Sequence, residues 1–331
     1  MRSGFKPGPE HTLALPGMLG AHPAMQQVYA QAHAAARTSF PVVLVGETGT
    51  GKELVARAIH QLSARAAGPL IAVNAAAIPD GTFESELFGH VRGGFTSADR
   101  ARRGYLRQAH GGTFVLDEAL SLPPHHQAKL LRAIETGHFW PVGSDREATS
   151  DFRLIAAMQT DVWAACAMGA VRSDFWYRVR GVEIVLPPLR ERATDIPLLA
   201  EAFLREGAQD NGQGRAPILT AAALDRLRAH SWPGNVRELR WLMLRVGHMP
   251  ADGPLTAARI EALLAANEPD TASAEQGEAR RALVVAVLES TAGDTREAAR
   301  VLGISRSQLY RRMSRLGIAP PLRCPYSHRC E

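Results

Sequence analysis

The chain has 331 residues, a formal net charge of +5 at pH 7, 46% hydrophobic and 21% charged residues. That length predicts two or three domains, and the apolar content is ordinary for a soluble globular protein. No apolar run approaches the ~18–20 residues of a membrane helix, and residues 1–16 lack the charged start and apolar core of a secretory signal. Cys166, Cys324 and Cys330 cannot all pair with one another, so a disulfide framework is not expected. We expect a reducing, cytoplasmic location and no membrane partner.

The distribution of charge carries more than its sum. Ten arginines and five acids lie between Glu278 and Glu331, so this last sixth holds the whole +5 and residues 1–277 sum to zero. A basic terminal module suits a polyanion partner; charge alone suits a solvated arginine-rich face equally well. Lys6, Lys52 and Lys129 are the only lysines, which makes the internal Lys52 conspicuous.

In chain order, Phe40–Val45 is a short apolar run before a glycine cluster and predicts a buried parallel strand. Glu53–Leu62 follows with Leu54, Ala58, Ile59 and Leu62 on one helical face. Thr113–Leu116 predicts another strand, ending in Asp117-Glu118. Arg153–Ala157 and Val182–Leu186 predict two more, with helical stretches between them. This alternation predicts an α/β fold, a parallel sheet covered on both faces. After Pro187-Pro188 the pattern becomes all-helical: Asp195–Glu206, Thr220–Ala229 and Val236–Val246. Ala265–Gly277 is polar and aperiodic and predicts a linker. The expected organisation is an extension (1–16), an α/β subdomain (17–187), a helical lid (188–264), a linker (265–277), a terminal helical module (278–318) and a basic tail (319–331).

The run Gly46-Glu47-Thr48-Gly49-Thr50-Gly51-Lys52 stands between a predicted strand and a predicted helix, the setting a phosphate-binding loop requires. Glycines let backbone N–H groups turn towards phosphate oxygens, the helix N-terminus adds a favourable dipole, and Lys52 reaches the β and γ phosphates. The pattern usually ends in Ser or Thr as a magnesium ligand; here Glu53 takes that place. The strand Phe114–Leu116 ends in two acids, of which Asp117 would hold Mg²⁺ and Glu118 would orient and deprotonate the attacking water. Together they predict ATP binding and hydrolysis.

At these residues the chain resembles the AAA+ activators of bacterial sigma-54 RNA polymerase, the NtrC-like enhancer-binding family. The resemblance runs through Gly46–Glu53, Val73-Asn74-Ala75-Ala76-Ala77, Glu84–His90, Gly111–Glu118, Leu186–Arg192 and Trp232–Leu239. It implies an AAA+ fold with a helical lid, and assembly as a ring, usually a hexamer, with ATP between subunits. It implies that Arg172 and Arg178 are arginine fingers for the neighbour's γ-phosphate, a task that suits a permanently charged guanidinium. It also implies that Arg237 is the lid's sensor arginine and that Asn74 holds Glu118 idle until the target engages. Only about 17 residues precede the ATPase segment in this sequence, so no receiver or ligand-sensing domain is expected.

Two departures from the family pattern stand out. The sigma-54 contact loop usually reads Gly-Ala-Phe-Thr-Gly-Ala; here it reads Gly93-Gly94-Phe95-Thr96-Ser97-Ala98. Phe95 and Thr96, the contact pair, remain. Gly94 is expected to loosen the backbone, and Ser97 matters if its position needs positive φ. The strand Arg153–Met158 is followed by Gln159, where the family usually ends in Thr-Asn as a γ-phosphate sensor. Gln159 keeps the amide with an added methylene, and slower hydrolysis or coupling is expected, with binding preserved.

Thr295–Leu302, Gly303-Ile304-Ser305 and Arg306–Leu316 read as helix, tight turn, helix. Ala298, Ala299, Leu302, Ile304, Leu309 and Leu316 supply the apolar contacts, and Ser305 caps the second helix. Arg306, Ser307 and Gln308 open that helix, and Tyr310, Arg311 and Arg312 continue it, the polarity of a DNA recognition helix. The segment resembles the Fis-type module of the same family, which implies dimerisation on DNA. Cys324, His328 and Cys330 lack zinc-site spacing, and the tail is expected to be disordered.

The expected function is a DNA-bound ATPase that uses hydrolysis to move the Phe95-Thr96 loop and remodel sigma-54 RNA polymerase. An alternative keeps the DNA module and drops the sigma-54 contact. A third, a remodelling ATPase outside transcription, is opposed by the terminal helix-turn-helix.

Overall fold

The computed structural model describes residues 14–95, 98–159, 162–167, 169–210, 216–249, 253–266, 281–288, 290–291, 294–302, 309 and 313. They form two compact units, one within residues 1–260 and one within 261–331.

The first unit is built on a five-stranded, all-parallel sheet. Its strands are β1 (Val42–Val45), β2 (Leu70–Asn74), β5 (Thr113–Asp117), β8 (Arg153–Met158) and β9 (Val182–Val185), in the order β2-β5-β8-β1-β9. Two-residue ladders join β3 (Gly89–His90) to β4 (Arg102–Arg103) and β6 (His138–Phe139) to β7 (Ala148–Thr149). Alternate residues of the central strands feed two separate cores. Val43, Val45, Leu116, Leu154 and Ala156 face α3 (Asp80–Phe88), α5 (Pro124–Thr136) and α7 (Ser173–Val179) through Phe83, Leu87, Leu130 and Trp176. Val42, Leu44, Val115, Ile155 and Ala157 face α1 (Pro23–Ala36) and α2 (Lys52–Gln61) through Met25, Tyr29, Val55 and Ile59. Burial on both faces is why these strands read as unbroken apolar runs, and each buried Val or Leu stabilises the sheet by about 1.5–3 kcal/mol.

The four strands expected from sequence are all present. The fifth, β2, was not among them: it lies at the sheet edge, and only Val73 of its five residues is fully buried. Short helices α4 (Tyr105–Gln108) and α6 (Val162–Ala167) complete this layer.

The polypeptide then passes through a 3-10 segment, Leu189–Asp195, into α8 (Ile196–Asp210), α9 (Ala221–Ala229), α10 (Asn235–Gly247) and α11 (Ala257–Ala265). Thr220 caps α9 by accepting from Ala223 N. Helices α8 and α10 touch at a glycine pair: a Cβ on Gly207 would meet Leu244 O at 2.7 Å. Trp232 is fully buried, its indole N–H donating to Leu227 O at 2.8 Å.

In the second unit, Asp294 caps the short helix Thr295–Val301 by accepting from Arg296 N and Glu297 N. Val284, Leu288, Ala298, Ala299, Leu309 and Met313 form a core of their own, with Leu302 packed against it. Ala298, Ala299, Leu302 and Leu309 thus occupy the roles expected of them. Ile304 and Leu316 lie outside the described residues. Among the described residues, no helix is long and apolar enough to cross a membrane.

Candidate functional site

A cleft of about 680 Å³ opens where β1 and β5 end, a volume suited to a nucleotide-sized ligand. Thr48, Gly49, Thr50, Gly51, Lys52 and Glu53 form its floor, Asn74, Asp117 and Glu118 one wall, and Arg237 and Arg240 the other. Met18, Leu199 and Phe203 make one end apolar.

The floor follows from local sequence. Gly49 and Gly51 adopt φ of +81° and +107°, conformations that side-chain-bearing residues resist. α2 starts directly at Lys52, so the first N–H groups of a ten-residue helix face the cleft. Lys52 is buried and donates from Nζ to Gly46 O at 2.6 Å and Glu47 O at 3.1 Å. Burial holds its ammonium below the usual lysine range, while Asp117 and Glu118 pull it back up. Thr50 donates its hydroxyl to Glu47 O at 2.8 Å.

The two acids at the end of β5 differ in setting. Asp117 accepts from Glu118 N through Oδ1 at 3.0 Å. Glu118 has φ 53° and ψ 42°, a left-handed conformation uncommon outside glycine and concentrated at functional sites. Gln159 stands between the two halves of the site: Nε2 donates to Thr48 Oγ1 at 3.0 Å and lies 3.3 and 3.4 Å from the two carboxylate oxygens of Glu118. Asn74 lines the same wall and is in register with Asp117, but its amide oxygen accepts from Ala76 N at 2.9 Å. The described hydrogen bonds to the Glu118 carboxylate therefore come from Gln159.

The loop is fastened to the helical lid by side chains. Glu47 receives a bidentate pair from Arg190, at 2.8 and 2.6 Å, and a third bond from Asn235 Nδ2 at 3.1 Å. These donors hold its carboxyl at about 2, well below the usual carboxylate range. The carboxylate of Glu47 is thus committed to the lid. Asn235, fully buried with φ 52°, also donates to Thr48 O at 3.0 Å and accepts from Leu189 N at 2.8 Å. Buried Arg192 donates to Thr50 O at 3.1 Å. Arg237 N donates to Gly49 O at 3.3 Å, and a Cβ on Gly49 would stand 2.2 Å from Gly234 O.

Following α3, the described residues 89–95 and Ala98 are joined by backbone hydrogen bonds. Gly93 N donates to Ala98 O at 2.9 Å, Gly93 has φ +79°, and Ala98 N donates to Phe95 O at 2.9 Å. Phe95 is exposed, its ring meeting that of His90 edge-on at 5.0 Å. At Gly94 the missing side chain leaves room for a second segment: a Cβ there would lie 2.7 Å from Val142 O, and a Cβ on Gly143 would lie 2.3 Å from the Gly94 Cα. Val91 N donates to Val142 O and Val142 N to Gly89 O, which ties the two segments together. Thr96 and Ser97 lie outside the described residues.

With this geometry in view, residues 18–185 match the Sigma-54 interaction domain, residues 190–277 the AAA+ ATPase lid domain, and residues 279–316 the bacterial regulatory proteins of the Fis family. The chain belongs to the sigma-54 activator family. The family's interaction domain is an AAA+ ATPase, and the parallel sheet with its helical lid is that architecture. The chain is 40% identical to the Nif-specific regulatory protein of Azotobacter vinelandii, over 91% of this chain and 59% of that protein. It is 40% identical to the transcriptional regulatory protein ZraR of Salmonella typhimurium, over 93% of this chain and 70% of that one. The crystal structure of NtrX from Brucella abortus in complex with ADP superposes with a TM-score of 0.69 at 31% identity, over 91% of this chain and 70% of that one.

Two further residues singled out from the sequence, Arg172 and Arg178, lie apart from the cleft. Arg172 makes a bidentate pair with Asp174, at 3.0 and 2.7 Å, and Arg178 Nε stands 4.0 Å from Glu135 Oε1. Neither lines the cleft. Ser305, Arg306, Ser307, Gln308, Tyr310, Arg311 and Arg312 lie outside the described residues, as do Cys324, His328 and Cys330. Sequence reasoning did not single out Arg190, Arg192 or Asn235. The signal was available in the segments Leu186–Arg192 and Trp232–Leu239, where polar residues interrupt apolar positions beside prolines.

Proposed function

We propose that this chain binds Mg·ATP in the cleft, hydrolyses it in a ring oligomer, hexameric by resemblance, and uses the energy to remodel sigma-54 RNA polymerase for promoter opening. The observation that carries the reading is the convergence of buried Lys52, strained Glu118 and Gln159 around one nucleotide-sized cleft.

The site fits ATP and its ion. The loop N–H groups and Lys52 form a cationic, donor-rich floor for phosphate oxygens, and Asp117 offers a carboxylate beside it. Mg²⁺, held by Asp117, would neutralise charge on those oxygens. Glu118 orients the attacking water and takes its proton. Gln159, bonded to both Thr48 and Glu118, reports the phosphate side of the cleft to the base. Arg237 and Arg240 present positive charge from the lid. Arg172 and Arg178, outside the cleft of their own chain, serve the neighbour's nucleotide as fingers. Phe95 and Thr96 contact sigma-54, and Asn74 restrains Glu118 when the target is absent. The Fis-type segment places the assembly on upstream DNA as a dimer, through Ser305, Arg306, Ser307, Gln308, Tyr310, Arg311 and Arg312.

The direct test is in vitro transcription with sigma-54 holoenzyme and a promoter carrying upstream sites. ATP-dependent open complexes, lost in Lys52→Ala and Glu118→Gln, are the expected result. ATP hydrolysis without open-complex formation would refute the sigma-54 assignment and leave the ATPase standing.

A further inference from the structure

Helices α3 and α5 meet at a cluster that the nucleotide cleft does not use. Asp80 opens α3, and His125 and His126 lie in the first turn of α5. Asp80 Oδ1 stands 2.8 Å from His126 Nε2 and 3.5 Å from His125 Nε2, and one ligand atom from each residue lies within 4.8 Å of the others. The His126 ring is buried and stacked on Phe83, with centroids 4.7 Å apart and planes 23° apart. Its second nitrogen, Nδ1, is sealed from solvent without a hydrogen-bond partner. The facing carboxylate oxygen, Glu84 Oε1, is 3.5 Å away and is itself held by Lys129 Nζ at 2.5 Å. Asp80 and His125 are exposed, so the cluster opens to solvent on one side.

A simple hydrogen bond between His126 and Asp80 accounts for one of these nitrogens. It does not account for a second imidazole converging on the same carboxylate oxygen, nor for the buried Nδ1 aimed near Glu84. The geometry points to a binding site for a divalent transition-metal ion of the zinc type, with Asp80 Oδ1, His125 Nε2 and His126 Nε2 as ligands and solvent completing the shell.

Three physical arguments support this assignment. Two imidazoles and one carboxylate suit zinc-type ions, whereas Mg²⁺ and Ca²⁺ prefer all-oxygen shells. Metal–ligand bonds of about 2.0–2.2 Å at tetrahedral angles set ligand atoms about 3.3 Å apart, and the observed 2.8 and 3.5 Å bracket that spacing. A metal-bound histidine characteristically donates its other ring N–H to a carboxylate, which fixes the tautomer; Glu84, steadied by Lys129, stands on that side of His126. None of these residues lines the nucleotide cleft, so the site is independent of the ATPase reading. An ion there ties α3, which runs into the Gly89–His90 strand, to α5, which follows the Asp117–Glu118 strand end by way of Ala119–Ser121.

The test is a titration of the full chain, in a Cys324→Ser/Cys330→Ser background, with Zn²⁺ by calorimetry and with Co²⁺ by absorption. The expected result is one equivalent bound and visible d–d bands without a near-ultraviolet thiolate band. Melting temperature should rise with Zn²⁺. His125→Ala removes an exposed side chain and should weaken binding at least about tenfold and abolish the thermal shift, and Glu84→Gln should weaken it by about tenfold. Absence of stoichiometric binding, or binding unchanged in His125→Ala, would overturn the proposal. Circular dichroism of the metal-free variant distinguishes loss of a ligand from loss of fold: unfolding of His125→Ala without metal would also overturn it.

Discussion

Gln159 Nε2 lies within 3.4 Å of both carboxylate oxygens of Glu118 while also donating to Thr48 Oγ1. One amide thereby links the Gly46–Lys52 loop to Glu118, the proposed base. In Gln159→Ala the Glu118 carboxylate loses its described hydrogen-bond donor and its positional constraint. Hydrogen bonds to charged groups contribute about 1.5–3 kcal/mol, so kcat for ATP should fall about tenfold or more, with ADP affinity within a factor of about two. Steady-state kinetics alongside ADP titration separates the two quantities. A loss confined to affinity would show that Gln159 acts on binding instead.

Gly49 has no room for a side chain. Its φ of +81° and the 2.2 Å separation that an added Cβ would have from Gly234 O both oppose substitution. Gly49→Ala should cost about 2 kcal/mol or more in stability and prise the loop from the lid, with nucleotide affinity falling at least tenfold. Denaturant unfolding and fluorescent-nucleotide binding measure each effect. Gly253→Ala, whose added Cβ would meet nothing within 4 Å, is a control for backbone strain alone, since its φ is +100°.

The Glu47–Arg190 clasp is sensitive to acid. Glu47 has its folded pKa lowered from 4.5 to about 2, chiefly by the Arg190 hydrogen bonds and then by Asn235. Its stabilising contribution is therefore complete above pH about 4.5 and is lost as pH falls towards about 2. Arg190 is exposed, so salt should weaken the pair. The stability difference between the native chain and Glu47→Gln should be largest near neutrality and shrink across that acid window. A difference that is constant with pH would show that the clasp does not depend on the charge of Glu47.

At Gly94 the family's alanine does not fit this backbone, because a Cβ would meet Val142 O at 2.7 Å. Gly94→Ala should displace the Pro141–Gly143 segment and cost about 1 kcal/mol. Thermal melting measures this directly. A rise in melting temperature would show that the glycine here is a defect in the loop and not an accommodation of its neighbour.

Much of the cleft was legible because its determinants are local. A buried strand, two positive-φ glycines and a helix starting at Lys52 occupy one short stretch of chain, and Asp117-Glu118 announces itself by ending an apolar run. Edge strand β2 was not legible, since only one of its five residues is fully buried and no periodic signal distinguishes it. The close approach of Val142 to Gly94 was not legible either, because Val142 is 48 residues away in sequence.

The sequence by itself determined the sheet's central strands, the glycine-rich turn into a helix at Lys52, the acidic pair and the family. Each depends on short-range patterning that backbone geometry enforces regardless of what packs against it. Only the tertiary structure decided which partners the polar side chains take. Glu47 belongs to Arg190 and Asn235, Glu118 to Gln159, and Asp80 to His125 and His126. The physical reason is that a hydrogen bond or ion pair forms over about 3 Å, and which residues come that close depends on how sheet, lid and helices pack, which no local spacing encodes.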